Sequence, residues 1–111
     1  MKQLFKNYSY EFDKNEKKIL STFCKQILKQ VEGNKQFFKE EKVFRSVLDK
    51  MESGEEAVKF TKEEYFAFKN QFGNNLKHLK KELPKTGFFK KIFIKPLIKQ
   101  YEILNKKYFE D

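Results

Sequence analysis

The side chains best suited to chemistry in this sequence are a single cysteine, a single histidine and three pairs of adjacent glutamates. Nucleophilic catalysis needs a nucleophile and a base that are held together in a pocket. Cys24 and His78 could supply a thiol and an imidazole, but they lie far apart in the chain. Cys24 follows Phe23 on an expected helix, where a cysteine acts as a small core residue, and His78 is expected to be partly exposed. We therefore predict no catalytic residues and a protein that is not an enzyme.

Metal ions and cofactors are not expected either. The doublets Glu40-Glu41, Glu55-Glu56 and Glu63-Glu64 would diverge by about 100° on a helix, so they do not converge on one ion. Structural zinc sites prefer Cys and His, of which the chain has one each. The four glycines are isolated and form no phosphate-binding or dinucleotide-binding loop, although Gly73 stands unexplained inside an expected helix. The sequence thus predicts no metal site, no cofactor and no evident small-molecule substrate.

One stretch does suggest binding chemistry, the basic segment formed by residues 77–99. It carries eight lysines against the single acidic residue Glu82, so +7 of the net charge of +9 lies there. Lys91, Lys95 and Lys99 follow one another at a spacing of four, nearly opposite an apolar face that includes Phe89 and Phe93. Further apolar residues widen that face. We predict a binding surface made of Lys77, Lys80, Lys81, Lys85, Phe88, Lys90, Lys91, Ile94, Lys95, Ile98 and Lys99.

Three kinds of partner suit this surface. We favour a protein partner or a second copy of the chain, because exposed Phe and Ile could pack against another apolar surface. An anionic membrane surface is the first alternative, with the apolar side of segment 88–99 in the headgroup boundary. A nucleic-acid backbone bound without sequence preference is the second. Base recognition is disfavoured because Arg45 is the only arginine, and the strong lysine bias indicates an A/T-rich bacterial or phage genome.

The composition describes the scaffold that must hold this surface. A chain of 111 residues fits one domain, and we expect a single helical domain over residues 1–111. Fourteen Phe and five Tyr supply a core that a disordered chain would lack. A lone cysteine forms no internal disulfide, and no apolar run has the length of a membrane span or a signal peptide. We expect a cytoplasmic protein, peripheral to the inner membrane face if the membrane alternative holds.

Hydrophobic periodicity and capping residues predict four helices, over about 13–31, 35–52, 62–83 and 88–109. Asp13 with Glu16 and Thr61 with Glu64 have the spacing of capping boxes. Pro96 should break or kink the last helix, and two pieces are the favoured form. The expected packed faces are Leu20, Phe23, Ile27 and Val31 in the first helix; Phe37, Phe44, Val47, Leu48 and Met51 in the second; Tyr65, Phe68, Phe72, Leu76, Leu79 and Leu83 in the third; and Phe89, Phe93, Leu97, Tyr101, Leu104 and Tyr108 in the last.

Two short alternating stretches, 8–12 and 57–60, precede the first and third helices and could pair as a two-stranded ribbon. Residues 12–16 also resemble residues 60–64 at an offset of 48, which suggests either a duplicated strand–helix–helix unit or the chance recurrence of common residues; we favour the second.

The predicted fold class is therefore all-α, a compact four-helix bundle with a minor ribbon. In size, basic charge and four-helix layout the chain resembles the bacteriocin immunity proteins, which are small bundles acting near the inner membrane face. This resemblance of architecture implies the membrane alternative and carries over no individual residue.

Overall fold

A computed structural model describes residues 8–109 of the chain. Two short strands and four main helices follow one another within it. They are β1 (Tyr8–Tyr10), α1 (Lys14–Val31), α2 (Phe38–Glu52), β2 (Val58–Phe60), α3 (Lys62–Glu82) and α4 (Phe88–Leu104). One 3-10 turn (Lys35–Phe37) precedes α2, another (Leu83–Lys85) follows α3, and a π-helix (Asn105–Phe109) continues α4. The predicted all-α class with four main helices and a minor ribbon is confirmed.

Capping boxes begin α1 and α3, as the sequence predicts. The Asp13 carboxylate accepts the backbone N–H of Glu16 at 2.7 Å, and the Glu16 carboxylate accepts the N–H of Asp13 at 2.9 Å. Thr61 and Glu64 repeat the arrangement at 3.1 and 2.9 Å. Each box satisfies two N–H groups that the first helical turn leaves without an intrahelical partner.

The ribbon of β1 and β2 is antiparallel, as predicted, and is shorter than the two stretches from which it was inferred. Tyr8 lies opposite Phe60 and Tyr10 lies opposite Val58. Tyr10 and Val58 are 48 positions apart, which is the offset of the sequence similarity between residues 12–16 and 60–64. The offset of this pair is therefore the same as the offset between the two capping boxes.

The described chain divides into two compact units, an N-terminal unit of residues 8–68 and a C-terminal unit of residues 69–109, with α3 contributing to both. The expectation of one domain stays a prediction.

The core of the N-terminal unit is aromatic. The Phe68 ring lies 5.4 Å from Phe23, 5.8 Å from Phe44 and 5.9 Å from Phe60, measured between ring centroids. All four side chains are buried, together with the predicted α1 face of Leu20, Phe23, Ile27 and Val31. Aromatic pairs at these distances add to the stabilisation that burial provides. The expectation of a core built on phenylalanine is met here.

The core of the C-terminal unit joins the second part of α3 to α4 and the π-helix. Phe72 packs on Tyr101 with ring centroids 4.8 Å apart and on Phe109 at 5.6 Å. Leu76, Ile98 and Leu104 are buried as well. Because Phe109 enters this core from a π-helix, the irregular last turn is part of the packing.

Pro96 does not divide the last helix, so the prediction of two pieces is wrong. Helix α4 runs without interruption from Phe88 to Leu104 with Pro96 inside it. Proline removes the amide that would bond to the carbonyl four residues earlier, which belongs to Ile92. Both residues are exposed, so water can reach the carbonyl that loses its donor.

The second helix also differs in detail from its prediction. Residues 35–37 form a 3-10 turn before α2, and Asn34 caps that turn through its side-chain oxygen, which accepts the N–H of Gln36 at 3.0 Å. Phe37 is exposed and does not belong to the packed face. Val43 takes a buried place on that face that the sequence pattern did not assign to it. Leu48, Leu79 and Leu83 are half-buried.

Candidate binding surface

Helix α4 has two apolar faces, of which one is buried and the other exposed. Ile98, Tyr101 and Leu104 are buried. Phe88, Phe89, Ile92 and Phe93 are exposed by 74%, 78%, 53% and 78% of their area. Since successive helical residues are about 100° apart, these four side chains fall within a sector of about 140°, on the other side of the helix from the buried residues. We name Phe88, Phe89, Ile92 and Phe93 the α4 patch.

This arrangement corrects two sequence-based assignments. Phe89 and Phe93 were expected on the packed face of the last helix, and they are among the most exposed large apolar side chains described. Ile98 was expected on the binding surface, and it is 8% exposed. The reason is that α4 is apolar over most of its circumference, so a regular spacing of three and four residues fits more than one face. Ile94, which was also expected on the binding surface, and Leu97 are half-buried on the same side of the helix as Ile98, Tyr101 and Leu104.

Lysines border the α4 patch. The stripe of Lys91, Lys95 and Lys99 runs along the Phe88 and Ile92 side of the exposed sector, away from Phe89 and Phe93, with Lys91 half-buried and the other two exposed. Lys90 is also exposed, about 100° around the helix from Phe89. No acidic residue occurs between Glu82 and Glu102. The patch therefore lies in a positive field that no carboxylate of its own segment neutralises.

The lysines that precede α4 have a different setting. Lys80 forms an ion pair with Glu102 at 2.5 Å, and Lys85 lies 4.0 Å from Glu82. These two lysines belong partly to the internal pairing of the C-terminal unit. Lys77 and Lys81, which were also predicted to bind, are exposed on α3.

The residues considered for catalysis occupy ordinary structural positions. Cys24 is fully buried, as expected of a core residue. Burial raises the pKa of its thiol, and the negative charge of Glu52 raises it further, so the reactive thiolate is disfavoured. His78 is exposed on α3. Within residues 8–109, no three His, Cys, Asp or Glu side chains are grouped so that they could hold a metal ion.

A polar groove in the C-terminal unit was not predicted. Two adjoining hollows of about 380 and 300 Å³ share Gly73, Lys77 and Asn105 in their walls. The other lining residues are Lys69, Asn70, Asn74, Leu76, Lys80, Glu102, Lys106 and Phe109. The one sequence signal was Gly73, an unfavourable residue inside a strong helix.

No protein-family model, curated protein or solved structure matches this chain. In the part of the chain that the structure describes, no helix combines the length and apolar character needed to cross a membrane.

Proposed function

We propose that the protein binds the surface of an anionic membrane through the α4 patch and its bordering lysines. The observation that carries the proposal is the exposure of three phenylalanines and one isoleucine on one helix face within residues 83–101, a stretch that has no acidic residue. The cytoplasmic leaflet is the one rich in anionic lipid, so the proposal places the protein in the cytoplasm.

The apolar part of the interaction follows from the cost of exposing these side chains. Burying one large apolar side chain contributes about 1.5–3 kcal/mol relative to leaving it in water. A helix that lies in the interface buries its apolar face about 5–10 Å deep, to the boundary of headgroups and acyl chains. The α4 patch can enter that layer while Tyr101 and Leu104 remain in the core of the C-terminal unit.

The electrostatic part comes from the lysines. A lysine close to an anionic bilayer contributes about 1 kcal/mol, and its long apolar stem can lie along the interface while its ammonium group stays in water. Lys95 and Lys99 are exposed at the Phe88 and Ile92 edge of the patch. Apolar insertion and charge attraction thus act on the same face of α4.

Self-association through this face is less favourable. A symmetric dimer brings the same patch of two copies together, and the lysines of both copies would then face one another. Opposed like charges oppose such an interface. A bilayer of anionic lipid supplies the complementary charge instead.

Vesicle co-sedimentation tests the proposal. We expect binding to phosphatidylcholine vesicles that contain phosphatidylglycerol and much weaker binding to phosphatidylcholine alone. Phe89→Ser should lower the partition coefficient about tenfold, because an inserted phenylalanine contributes about 1.5–3 kcal/mol. Phe38→Ser is the matched control, since Phe38 is 67% exposed but lies outside the basic segment, and it should change the partition coefficient little.

The charge contribution has its own variant. Changing Lys91, Lys95 and Lys99 together to Gln should lower binding to anionic vesicles about 100-fold, at about 1 kcal/mol per lysine, without changing binding to neutral vesicles. Equal binding of the original protein to neutral and anionic vesicles, or equal effects of Phe38→Ser and Phe89→Ser, would contradict the proposal.

A protein-binding function is the second candidate, and exposed phenylalanines outside the basic segment favour it. Phe37, Phe38 and Phe66 are exposed in the N-terminal unit, where acidic residues balance the basic ones and attraction to an anionic membrane is weaker. If the protein does not bind vesicles, we expect an acidic protein with an apolar groove to bind the α4 patch. Steeply salt-dependent binding of an oligonucleotide would instead identify a nucleic-acid binder.

A further inference from the structure

The polar groove of the C-terminal unit is bordered by an unfavourable residue of α3 and by the irregular turn that follows α4. Gly73 stands in the interior of α3, where glycine is among the least favourable residues. Asn105–Phe109 form a π-helix, which is rare in proteins and frequent at functional sites. Both hollows of the groove are lined by Gly73 on one side and by Asn105 on the other. An unfavourable helix residue and an irregular turn therefore border the same space.

Packing does not require glycine at position 73. A Cβ atom built there would meet no atom within 4 Å outside its own neighbourhood. Its backbone does not adopt a positive φ, unlike that of Gly33 and Gly54. The space that a side chain at this position would enter is the groove itself. Glycine keeps that space open.

Most of the residues in the walls of the groove are lysines and asparagines. Lys77 and Asn105 line both hollows, Lys106 lines the larger one and Asn74 the smaller one, and all four side chains carry N–H donors. The one acidic residue in its walls, Glu102, is paired with Lys80 at 2.5 Å. The smaller hollow has no acidic residue in its walls. Such a lining matches an anion that carries several oxygen acceptors and more than one negative charge.

We propose that this groove binds a phosphate monoester. Its hollows are at the lower end of the range for small-molecule sites, about 300–1,000 Å³. Lys77 and Lys106 neutralise the dianion, and the amides of Asn74 and Asn105 donate to its remaining oxygens. The site does not depend on the α4 patch, since Phe93 and Glu102 are about 14 Å apart along the helix axis. It also gives Gly73 a function.

An NMR titration of the full chain tests the site. Glycerol 3-phosphate is added to the labelled protein at constant ionic strength, which separates specific binding from general charge attraction. We expect saturable shifts of the backbone amides of Gly73, Asn74, Asn105 and Lys106. Lys77→Gln combined with Lys106→Gln should weaken binding at least about tenfold, because two charge-assisted hydrogen bonds are lost.

Matched variants separate the site from a general effect of charge. Lys90→Gln combined with Lys91→Gln makes the same change of charge outside the groove and should leave the affinity within about twofold. Gly73→Leu fills the groove without altering any charge and should abolish the saturable shifts while the helical circular dichroism is kept. Equal weakening by both lysine pairs, or shifts that spread over the basic segment without saturation, would overturn the proposal.

A second arm identifies the source of the phosphate. Vesicles of phosphatidylcholine with phosphatidic acid carry a monoester, and those with phosphatidylglycerol carry a diester. A lipid headgroup as the ligand predicts that the Lys77→Gln, Lys106→Gln variant loses binding to the first vesicles only, whereas a soluble ester predicts saturation by glycerol 3-phosphate and no such loss. If neither glycerol 3-phosphate nor the phosphatidic acid vesicles bind in the expected way, the proposed site is overturned. The membrane proposal is tested separately, by Phe89→Ser.

Discussion

The side chain of Glu64 connects the start of α3 to α2. It closes the capping box of α3 and also contacts α2, where its carboxylate accepts from the Ser46 hydroxyl at 2.6 Å and pairs with Lys50 at 2.5 Å. Burial by itself raises the pKa of the Glu64 carboxyl. The hydrogen bonds from Lys50, Ser46 and Thr61, together with the charge of Lys50, outweigh burial and hold that pKa below its usual range.

This lowered pKa predicts a pH dependence of stability. In the unfolded chain a glutamate titrates near pH ~4.3, so as the pH falls the unfolded state takes up the proton first. The stabilisation by Glu64 is therefore complete above that pH and is lost as the pH falls through the lower pKa of the folded state. Glu64→Gln should lower the free energy of unfolding by about 1.5–3 kcal/mol at neutral pH, as expected for the loss of hydrogen bonds to a charged group. It should also reduce the loss of stability on acidification, which we call the acid limb.

Urea unfolding followed by circular dichroism at neutral and acidic pH measures both effects. Glu63→Gln is the matched control, because Glu63 is the preceding residue of the same helical turn and is exposed. It should leave both the stability and its acid limb nearly unchanged. An acid limb that Glu64→Gln leaves as steep as before would contradict the assignment.

Capping residues set where the helices of this fold begin, and the order of the elements is repeated along the chain. A strand, a capped helix, a 3-10 turn and a second helix occur in that order twice. The two 3-10 turns, Lys35–Phe37 and Leu83–Lys85, are separated by 48 positions, as are the two capping boxes. This correspondence of elements supports the duplication that the short sequence similarity left open.

The capping boxes predict a measurable contribution of each helix start. Thr61→Ala removes the acceptor for the Glu64 N–H and should lower the free energy of unfolding by about 1 kcal/mol, within the range for N-caps. Thr22→Ala makes the same change at an exposed position inside α1 and should be neutral or slightly stabilising, because alanine is the better helix former. Chemical denaturation of both variants gives the comparison, and equal losses of stability would show that Thr61 does not act as a cap.

Each unit has its own core, but both candidate binding surfaces lie in the C-terminal unit. The N-terminal unit holds the aromatic core around Phe68, and the C-terminal unit holds the α4 patch and the polar groove. Both proposed binding functions belong to the C-terminal unit, as does most of the net charge. The N-terminal unit then has the fully buried Cys24 as an internal reporter of its integrity.

Thiol labelling of Cys24 should report opening of the N-terminal unit. Because the thiol is buried and its pKa is raised, we expect labelling in native buffer to be at least about 1,000-fold slower than in the unfolded chain, in line with ordinary domain stabilities. Labelling and circular dichroism should change at the same urea concentration. Thr22→Cys combined with Cys24→Ala places an exposed thiol on the same helix as a control, and native Cys24 reacting as fast as that thiol would refute the burial.

The sequence by itself determined the helices, both capping boxes, the ribbon and the buried face of α1. These depend on spacing and on contacts within a few residues, which a linear pattern records. Only the tertiary structure decided which apolar face of α4 is covered, since Phe89 and Ile98 fit the helical periodicity equally well and long-range packing chooses between them. It also decided that Glu64 joins α3 to α2 and that Gly73 opens on a groove, because both depend on residues distant in the chain. The sequence identified the basic segment by its lysines, but it did not show which face of that segment is exposed and able to bind.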